Sequence, residues 1–435
     1  LRIAIIGSGI AGHGAAYKLT RHFGPAAVTV FEKEPRPGGH SATVDITYDG
    51  RALAVDTGFI VYNELNYPLM TALFDELGVE TQLSDMGFSL SLDHGAFEWS
   101  GQDNRVLASL LAQPSNVFRP AFWRMLADMM RFNKQAIQDF EADRLGDMSL
   151  GAYLEAGRFT GWFRDNYILP MGAAIWSMPS TSVLDFPARS FLAFFNNHRL
   201  LHMQRPRWRT VSGGSRSYVR RLIERSGHQA VYGDAVLEVQ RDSQGVRVLR
   251  ESGAIDTFDA VVMATHSDTT AELIAAHWPQ EAAVVAQLRY AEADVYLHRD
   301  PAYMPKRRNA WAAWNVLRTP QRDAAPVTVT YWMNRLQALP EECPLFVTLN
   351  PPMPPRDEAV FGHYRYAHPQ YDSAAIDAQD RMPDLQGQGG LYFAGAWMGY
   401  GFHEDGLRAG FEAAEQLIAD LTARQVDSRA ALAQD

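Results

Sequence analysis

Ile3-Ala4-Ile5-Ile6-Gly7-Ser8-Gly9-Ile10-Ala11-Gly12-His13-Gly14 opens the chain with an apolar run, a glycine turn and the start of a helical segment. Each glycine has its own task in this order. Gly7 permits the tight turn, Gly9 lets the backbone approach a pyrophosphate, and Gly12 allows close helix packing, while the first helical N–H groups point at the phosphates. Working outward, Val28-Thr29-Val30-Phe31-Glu32 supplies a second strand that ends in an acid 20 residues past Gly12. A carboxylate there accepts ribose hydroxyls, so the stretch reads as a dinucleotide-binding beta-alpha-beta unit.

At 435 residues and 47% apolar content, the chain is too large for one ordinary core and predicts two interleaved globular domains. A net charge of −10 and a pI near 5.7 argue against nucleic acid as a partner, because such binding rests on an electropositive surface. The single cysteine, Cys343, excludes an internal disulfide, a cysteine-rich metal site and a CxxC redox pair; no metal is expected, and a reducing, cytoplasmic location fits. The motif begins at residue 3, which leaves no room for a signal peptide, while the absent initiator Met leaves a removed leader open. The longest uncharged stretch, Asn166 to Leu184, contains Pro170 and Pro179 and suits a buried wall better than a membrane span.

Further along, Arg36-Pro37-Gly38-Gly39-His40-Ser41 forms a second glycine turn suited to a pyrophosphate. Leu53 to Thr57 reads as a strand, Asp56-Thr57-Gly58-Phe59-Ile60 returns through another glycine, and Tyr67 to Leu77 has helical spacing with Gly78 as its C-cap. Val106 to Leu201 is mostly helical and reads as an inserted cap. Val231 to Val248 predicts a hairpin turning at Asp242-Ser243-Gln244-Gly245, and Asp259 to Thr265 a buried parallel strand. A second insertion, Leu288 to Asp384, alternates strand-like runs with proline turns and predicts an antiparallel sheet. Gly390 to Ala396 is a last strand ending in glycine, Asp405 to Ala423 a helix, and the final dozen residues a disordered tail.

These segments, from Gly7–Gly12 and Glu32 through Ala264-Thr265 to Phe393-Ala394-Gly395 and Asp405-Gly406-Leu407, occur in the order seen in the flavin amine oxidase and phytoene desaturase superfamily, which the chain resembles over nearly its whole length. The resemblance implies FAD, and an α/β fold: a Rossmann-like FAD-binding domain (1–85, 205–287 and 385–425), an interleaved α+β substrate domain with antiparallel sheet and helical cap (86–204 and 288–384), and a tail at 426–435. The implied cofactor set is Gly7, Ser8, Gly9, Ala11, Gly12, Glu32, Lys33, Gly39, His40, Ser41, Thr57, Gly58, Phe59, Ile60, Val236, Thr265, Gly395, Ala396, Asp405, Gly406 and Leu407. Gly38 to Ser41, Asp56 to Asn63, Leu297 to Asp300 and Trp311 to Asn315 more closely resemble bacterial FAD-dependent oxidoreductases associated with cyclopropane-fatty-acyl-phospholipid synthases and furan fatty acid formation. Two departures from amine oxidases stand out. His40 replaces the usual Arg after the glycine pair, and Ala396-Trp397-Met398 has no covalent-flavin cysteine, so FAD is expected to be non-covalent; the tyrosine pair that cages amines is not evident in Tyr400-Gly401-Phe402-His403-Glu404-Asp405.

Asp405-Gly406-Leu407 opens a helix whose positive end would face reduced flavin, or Asp405 is simply an N-cap. His298, on a strand in the family region that carries a flavin-facing lysine, is a candidate base beside the structural reading of a strand histidine. His403 and Glu404 are catalytic candidates or braces of the loop. Trp176 and Met171, with Tyr400 and Phe402, are candidate substrate contacts, while Met178 and Phe186 extend the same apolar wall or belong only to the core. Phe118, Phe122, Met125, Met129 and Phe132 recur among Arg119, Arg124, Arg131 and Lys134, as a face for anionic lipid at the inner membrane or as an ordinary cap helix. The leading expectation is an FAD-dependent desaturase or dehydrogenase acting on a lipid-linked fatty acyl chain, with a functional link to a fatty-acyl methyltransferase. The alternatives are an amine oxidase using dioxygen and a non-redox flavin-dependent isomerase or lipid-presenting accessory protein.

Overall fold

The computed structural model describes residues 1–101, 111–176, 178–202, 206–242 and 245–432. Its centre is a five-stranded parallel sheet in the order Gln229–Tyr232, Val28–Glu32, Ile3–Ile6, Ala260–Met263, Leu391–Phe393. Ile3–Ile6 and Ala260–Met263 are buried at every position, as strands covered on both faces must be, hence their unbroken apolar sequence. Ile3 and Ile5 pack with Ala15, Leu19, Ala409 and Ala413 of the first and last helices. Ala4 and Ile6 turn the other way, toward Val239, Val248 and Ile274, as the two-residue period of a strand requires. This is the Rossmann-like α/β architecture that the opening motif predicts.

The second sheet has seven strands, in the order Val360–Pro369, Tyr290–His298, Phe346–Leu349, Thr328–Trp332, Trp314–Arg318, Phe88–Leu92, Phe97–Gly101. The expected antiparallel sheet is corrected at one joint: Phe88–Leu92, from the first insertion, pairs parallel with Trp314–Arg318. Two chain segments far apart in sequence meet there, and no hairpin imposes an antiparallel direction. Helices Pro120–Glu141, Leu150–Ala156, Leu169–Trp176 and Ala188–Asn197 form the cap. Its Phe122, Phe163, Trp176 and Phe194 share one core with Leu90, Trp99 and Val329 of the sheet.

Three other expectations shift. Gln229–Tyr232 joins the parallel sheet, and the hairpin begins only at Val236; Gly233 (φ +72°) breaks the run between them. The hairpin turn at Ser243 and Gln244, and residues 106–110 of the cap, lie outside the described residues. The final helix extends from His403 to Leu432 instead of ending at Ala423, since Ala, Arg and Gln in its last turns propagate a helix well. Helix Ser373–Leu385, within the second insertion, buries Ala375, Ala378 and Met382 against the parallel sheet's core.

Candidate functional site

The strand-to-helix turn leaves no room for side chains on its inner side. Gly7 has φ +106° and a Cβ there would lie 2.6 Å from the Ala264 carbonyl oxygen; at Gly12 it would lie 2.0 Å from that of Gly7. Gly9 faces the other way, and a Cβ built on it meets nothing within 4 Å. Helix Ile10–Phe23 starts without a side-chain cap, which leaves its first N–H groups for an anion. The second glycine turn abuts the first: a Cβ on Gly39 would lie 3.2 Å from Gly9 Cα, and Gly38 N–H donates to the Ser8 carbonyl at 3.0 Å. Glu32 accepts from Ser8 N–H and Oγ at 3.0 and 2.7 Å, so the acid and the turn are one unit. An open glycine face, an uncapped helix start and a strand-end carboxylate fit the phosphate and ribose of a dinucleotide such as FAD.

Past Gly39 the structure gathers four histidines. The His40 ring lies 5.6 Å from His266, 6.0 Å from His368 and 5.4 Å from Tyr366, centroid to centroid. His40 Nε2 and His368 Nδ1 are buried with no hydrogen-bond partner among the described residues. Burial, then the adjacent ring, lowers His40 to about 4 and His368 to about 3. His403, likewise lowered to about 3 by burial and then by His40, stacks on Phe59 at 3.8 Å and bonds Ser41 Oγ through Nε2 at 3.0 Å. His266 is lowered in the same direction by burial. Neutral imidazoles with open nitrogens are able to hydrogen-bond a polar group.

The three residues that start the last helix point to different neighbours. While His403 meets Ser41 and Phe59, Glu404 accepts from the N–H groups of Leu69 and Met70 at 2.8 and 3.0 Å. That carboxylate caps helix Pro68–Leu77, which has no other side-chain cap. Asp405 accepts from Tyr400 and Phe402 N–H at 3.0 Å each and pairs with Arg408. Of the two expectations for Glu404, these bonds fit the brace, because its oxygens are committed to a helix start; Asp405 holds the loop before it.

That loop carries an aromatic wall. Phe402 stacks on Phe194 at 5.0 Å, and Tyr400 meets the same ring edge-on at 6.0 Å. Phe194 lies 4.9 Å from Trp176, which lies 4.7 Å from Phe186; Met171 is buried in the same cluster. Trp176 Nε1 and the Tyr371 hydroxyl are buried here without a partner among the described residues. The four substrate-contact candidates are therefore brought together.

His298 is not with them. It is fully buried, with Nε2 bonded to Thr348 Oγ1 at 2.7 Å and Nδ1 accepting from Asp300 N–H at 3.1 Å. Both nitrogens are satisfied inside the sheet, which fits the structural of its two expected roles. Among the cofactor candidates, Thr57 bonds Tyr366, a Cβ on Gly58 would lie 2.2 Å from the His40 carbonyl oxygen, and Thr265 accepts from Trp397 Nε1. Ala11 packs in the helix–sheet core, where a Cβ on Gly410 would lie 2.2 Å from its carbonyl oxygen, and one on Gly406 would lie 2.8 Å from Ile10 Cγ2. Gly395 and Ala396 lead into the loop, Lys33 is exposed beside the acid, and Val236 lies against the core beneath the parallel sheet. Ile60 and Leu407 are core residues of their neighbourhoods. The sequence reading missed His266, His368, Tyr366 and Tyr371. The two-residue alternation Tyr364, Tyr366, His368 was the available signal for one strand face; His266 and Tyr371 had none beyond adjacency to Thr265 and Pro369.

Residues 10–293 match the family described as flavin containing amine oxidoreductase. No curated protein matches the sequence. Solved structures share the fold: putrescine oxidase bound to putrescine (16% identity, TM-score 0.66, covering 96% of this chain and 99% of that one), cyclohexylamine oxidase from Brevibacterium oxydans (15%, 0.65, 97% and 99%) and the CLA-producing fatty acid isomerase from P. acnes (14%, 0.62, 95% and 98%). With the cradle for a dinucleotide and a family match over more than half its length, the chain belongs to the flavin containing amine oxidoreductase family and is an FAD-dependent oxidoreductase.

Proposed function

We propose that the protein is a desaturase-like dehydrogenase that removes hydrogen from a lipid-linked fatty acyl chain, with FAD held non-covalently. The fold does not choose the substrate, since putrescine oxidase and a fatty acid isomerase have it too. The observation that carries the reading is the disposition of charge around the aromatic wall. Glu404 and Asp405, the acids adjoining it, are turned into backbone N–H groups. An ammonium group entering there meets no free carboxylate from that loop and loses hydration without a partner. An alkyl chain meets Trp176, Phe186, Phe194 and Phe402.

When bound, the flavin supplies a hydride acceptor. The wall orients the chain and excludes water. His40 and His368, each with an unpartnered nitrogen among the described residues, can hydrogen-bond a bound group; burial lowers their basicity, so the accompanying proton passes on to water. His403 positions the turn through Ser41 and Phe59. The closer resemblance to oxidoreductases associated with cyclopropane-fatty-acyl-phospholipid synthases supports the same reading and a functional link to a fatty-acyl methyltransferase.

The test is anaerobic mixing of the holoenzyme with phospholipids bearing methylated or unsaturated acyl chains, and separately with primary and secondary amines, followed by the visible flavin absorbance. Bleaching by acyl substrates and not by amines is expected. Bleaching by amines alone overturns the reading, and an acyl product formed without reduction would make the protein an isomerase.

A further inference from the structure

We infer that the outward face of cap helix Pro120–Glu141, with the turn before it, docks the protein on an anionic lipid surface. The inward face is fully committed: Phe122, Met125, Phe132 and Ala136 are at 0% exposure in the cap core. These include three of the five apolar residues that the sequence pattern suggests for lipid contact, so that role passes to others. Phe118 is 86% exposed, Met130 55%, Trp123 51% and Val117 41%. Together they present on the order of 400 Å² of apolar surface, the size of patch that marks an interaction site on a monomer. The turn and the helix hold one another, since Trp123 Nε1 donates to the Val117 carbonyl at 2.9 Å.

Charge selects the occupant. Trp123, Ala127, Met130 and Lys134 fall on one line of the helix at three- and four-residue spacing, and Arg124 and Arg131 flank it. Glu141 continues this line at the far end of the helix, two turns beyond Lys134; Asp128, on another face, is buried and accepts from Thr160 and Arg131. A cationic rim beside exposed Trp and Phe matches a phosphate-rich interface, whereas the same face of a second copy would set these cations against their own equivalents. Among the described residues no helix is long and apolar enough to cross a membrane, so contact through this helix would be peripheral. The inference does not depend on the substrate reading, because it uses the helix face opposite the cap core.

The experiment is co-sedimentation of the holoenzyme with phosphatidylglycerol–phosphatidylcholine vesicles and with pure phosphatidylcholine vesicles. Binding to the first only, weakened by salt, is expected. Arg124→Ala with Lys134→Ala should reduce the partition coefficient about 25-fold, two cations at roughly fivefold each. Arg131 is left in place because it braces Gly157, Arg158 and Asp128. Trp123→Ser should weaken binding to the same vesicles with unchanged flavin content, which reports an intact fold. Equal binding to both vesicle types, an unchanged double variant, or self-association lost in Trp123→Ser without vesicle binding would each overturn the inference.

Discussion

Replacing His13 with leucine should make the protein more resistant to acid. His13 is 1% exposed, neither ring nitrogen has a partner among the described residues, and its ring lies 5.4 Å from that of His228. Burial first, and His228 second, lowers its pKa from 6.5 to about 3. A base with a depressed folded pKa stays neutral in the native state while the unfolded chain takes up the proton. It therefore withdraws no stability above the unfolded pKa, withdraws progressively more as pH falls below 6.5, and stops only near 3. At pH ~4.5, about two units below the unfolded value, the penalty is on the order of 3 kcal/mol. His13→Leu removes that term and leaves no unpaired nitrogen, so urea midpoints of variant and parent should be close at neutral pH and diverge in the variant's favour toward pH ~4.5. Parallel pH dependence of the two proteins would refute the reasoning, because it would mean that His13 protonates as readily in the folded state as in the unfolded chain.

Three further outcomes are expected. Gly12→Ala, whose Cβ would lie 2.0 Å from the Gly7 carbonyl oxygen, should yield folded protein with little flavin by its visible-to-ultraviolet absorbance ratio; full flavin content would contradict the cradle. Glu404→Gln should lower thermal stability by about 1 kcal/mol through the weakened helix cap while leaving the rate of flavin reduction unchanged, whereas a loss of roughly a hundredfold in that rate would restore Glu404 to the chemistry. His298→Ala should cost about 1–3 kcal/mol in denaturant unfolding by stranding Thr348 and Asp300 N–H, again with normal flavin reduction.

What the sequence made legible follows from how local each signal is. Gly7, Gly9 and Gly12 act within one turn, Glu32 at a set spacing, and Ile3–Ile6 through a pattern that needs no partner to be read. The aromatic wall and the histidine group are assembled instead from segments remote in sequence: Phe194 from the cap, Phe402 from the last loop, His40 from the second turn and His368 from a strand end. No period or motif links these positions, so only their meeting in the folded chain reveals them. Phe118 and Phe122 show the converse failure. Both match a helical apolar pattern, but the pattern does not say which residues the sheet covers, and Trp123, which is not part of that pattern, is on the outside.

The start of the last helix explains why its residues were hard to assign from type alone. Successive helical positions are turned by about 100°, so His403, Glu404 and Asp405 cannot serve one site. His403 reaches the cofactor-side turn through Ser41 and Phe59, Glu404 reaches the start of helix Pro68–Leu77, and Asp405 folds back on Tyr400 and Phe402. The two acids are raised above their ordinary values by burial, which their N–H donors oppose. A group held this way contributes geometry, and the geometry it contributes is the position of Phe402 against Phe194. The loop thereby couples the parallel sheet to the cap: Gly395 ends a strand of one, Phe402 packs on a helix of the other, and Asp405 holds the span between them at three residues' distance. The acids that stand closest to this junction in sequence are committed to backbone N–H groups, while the buried atoms without a partner among the described residues belong to His40 and His368.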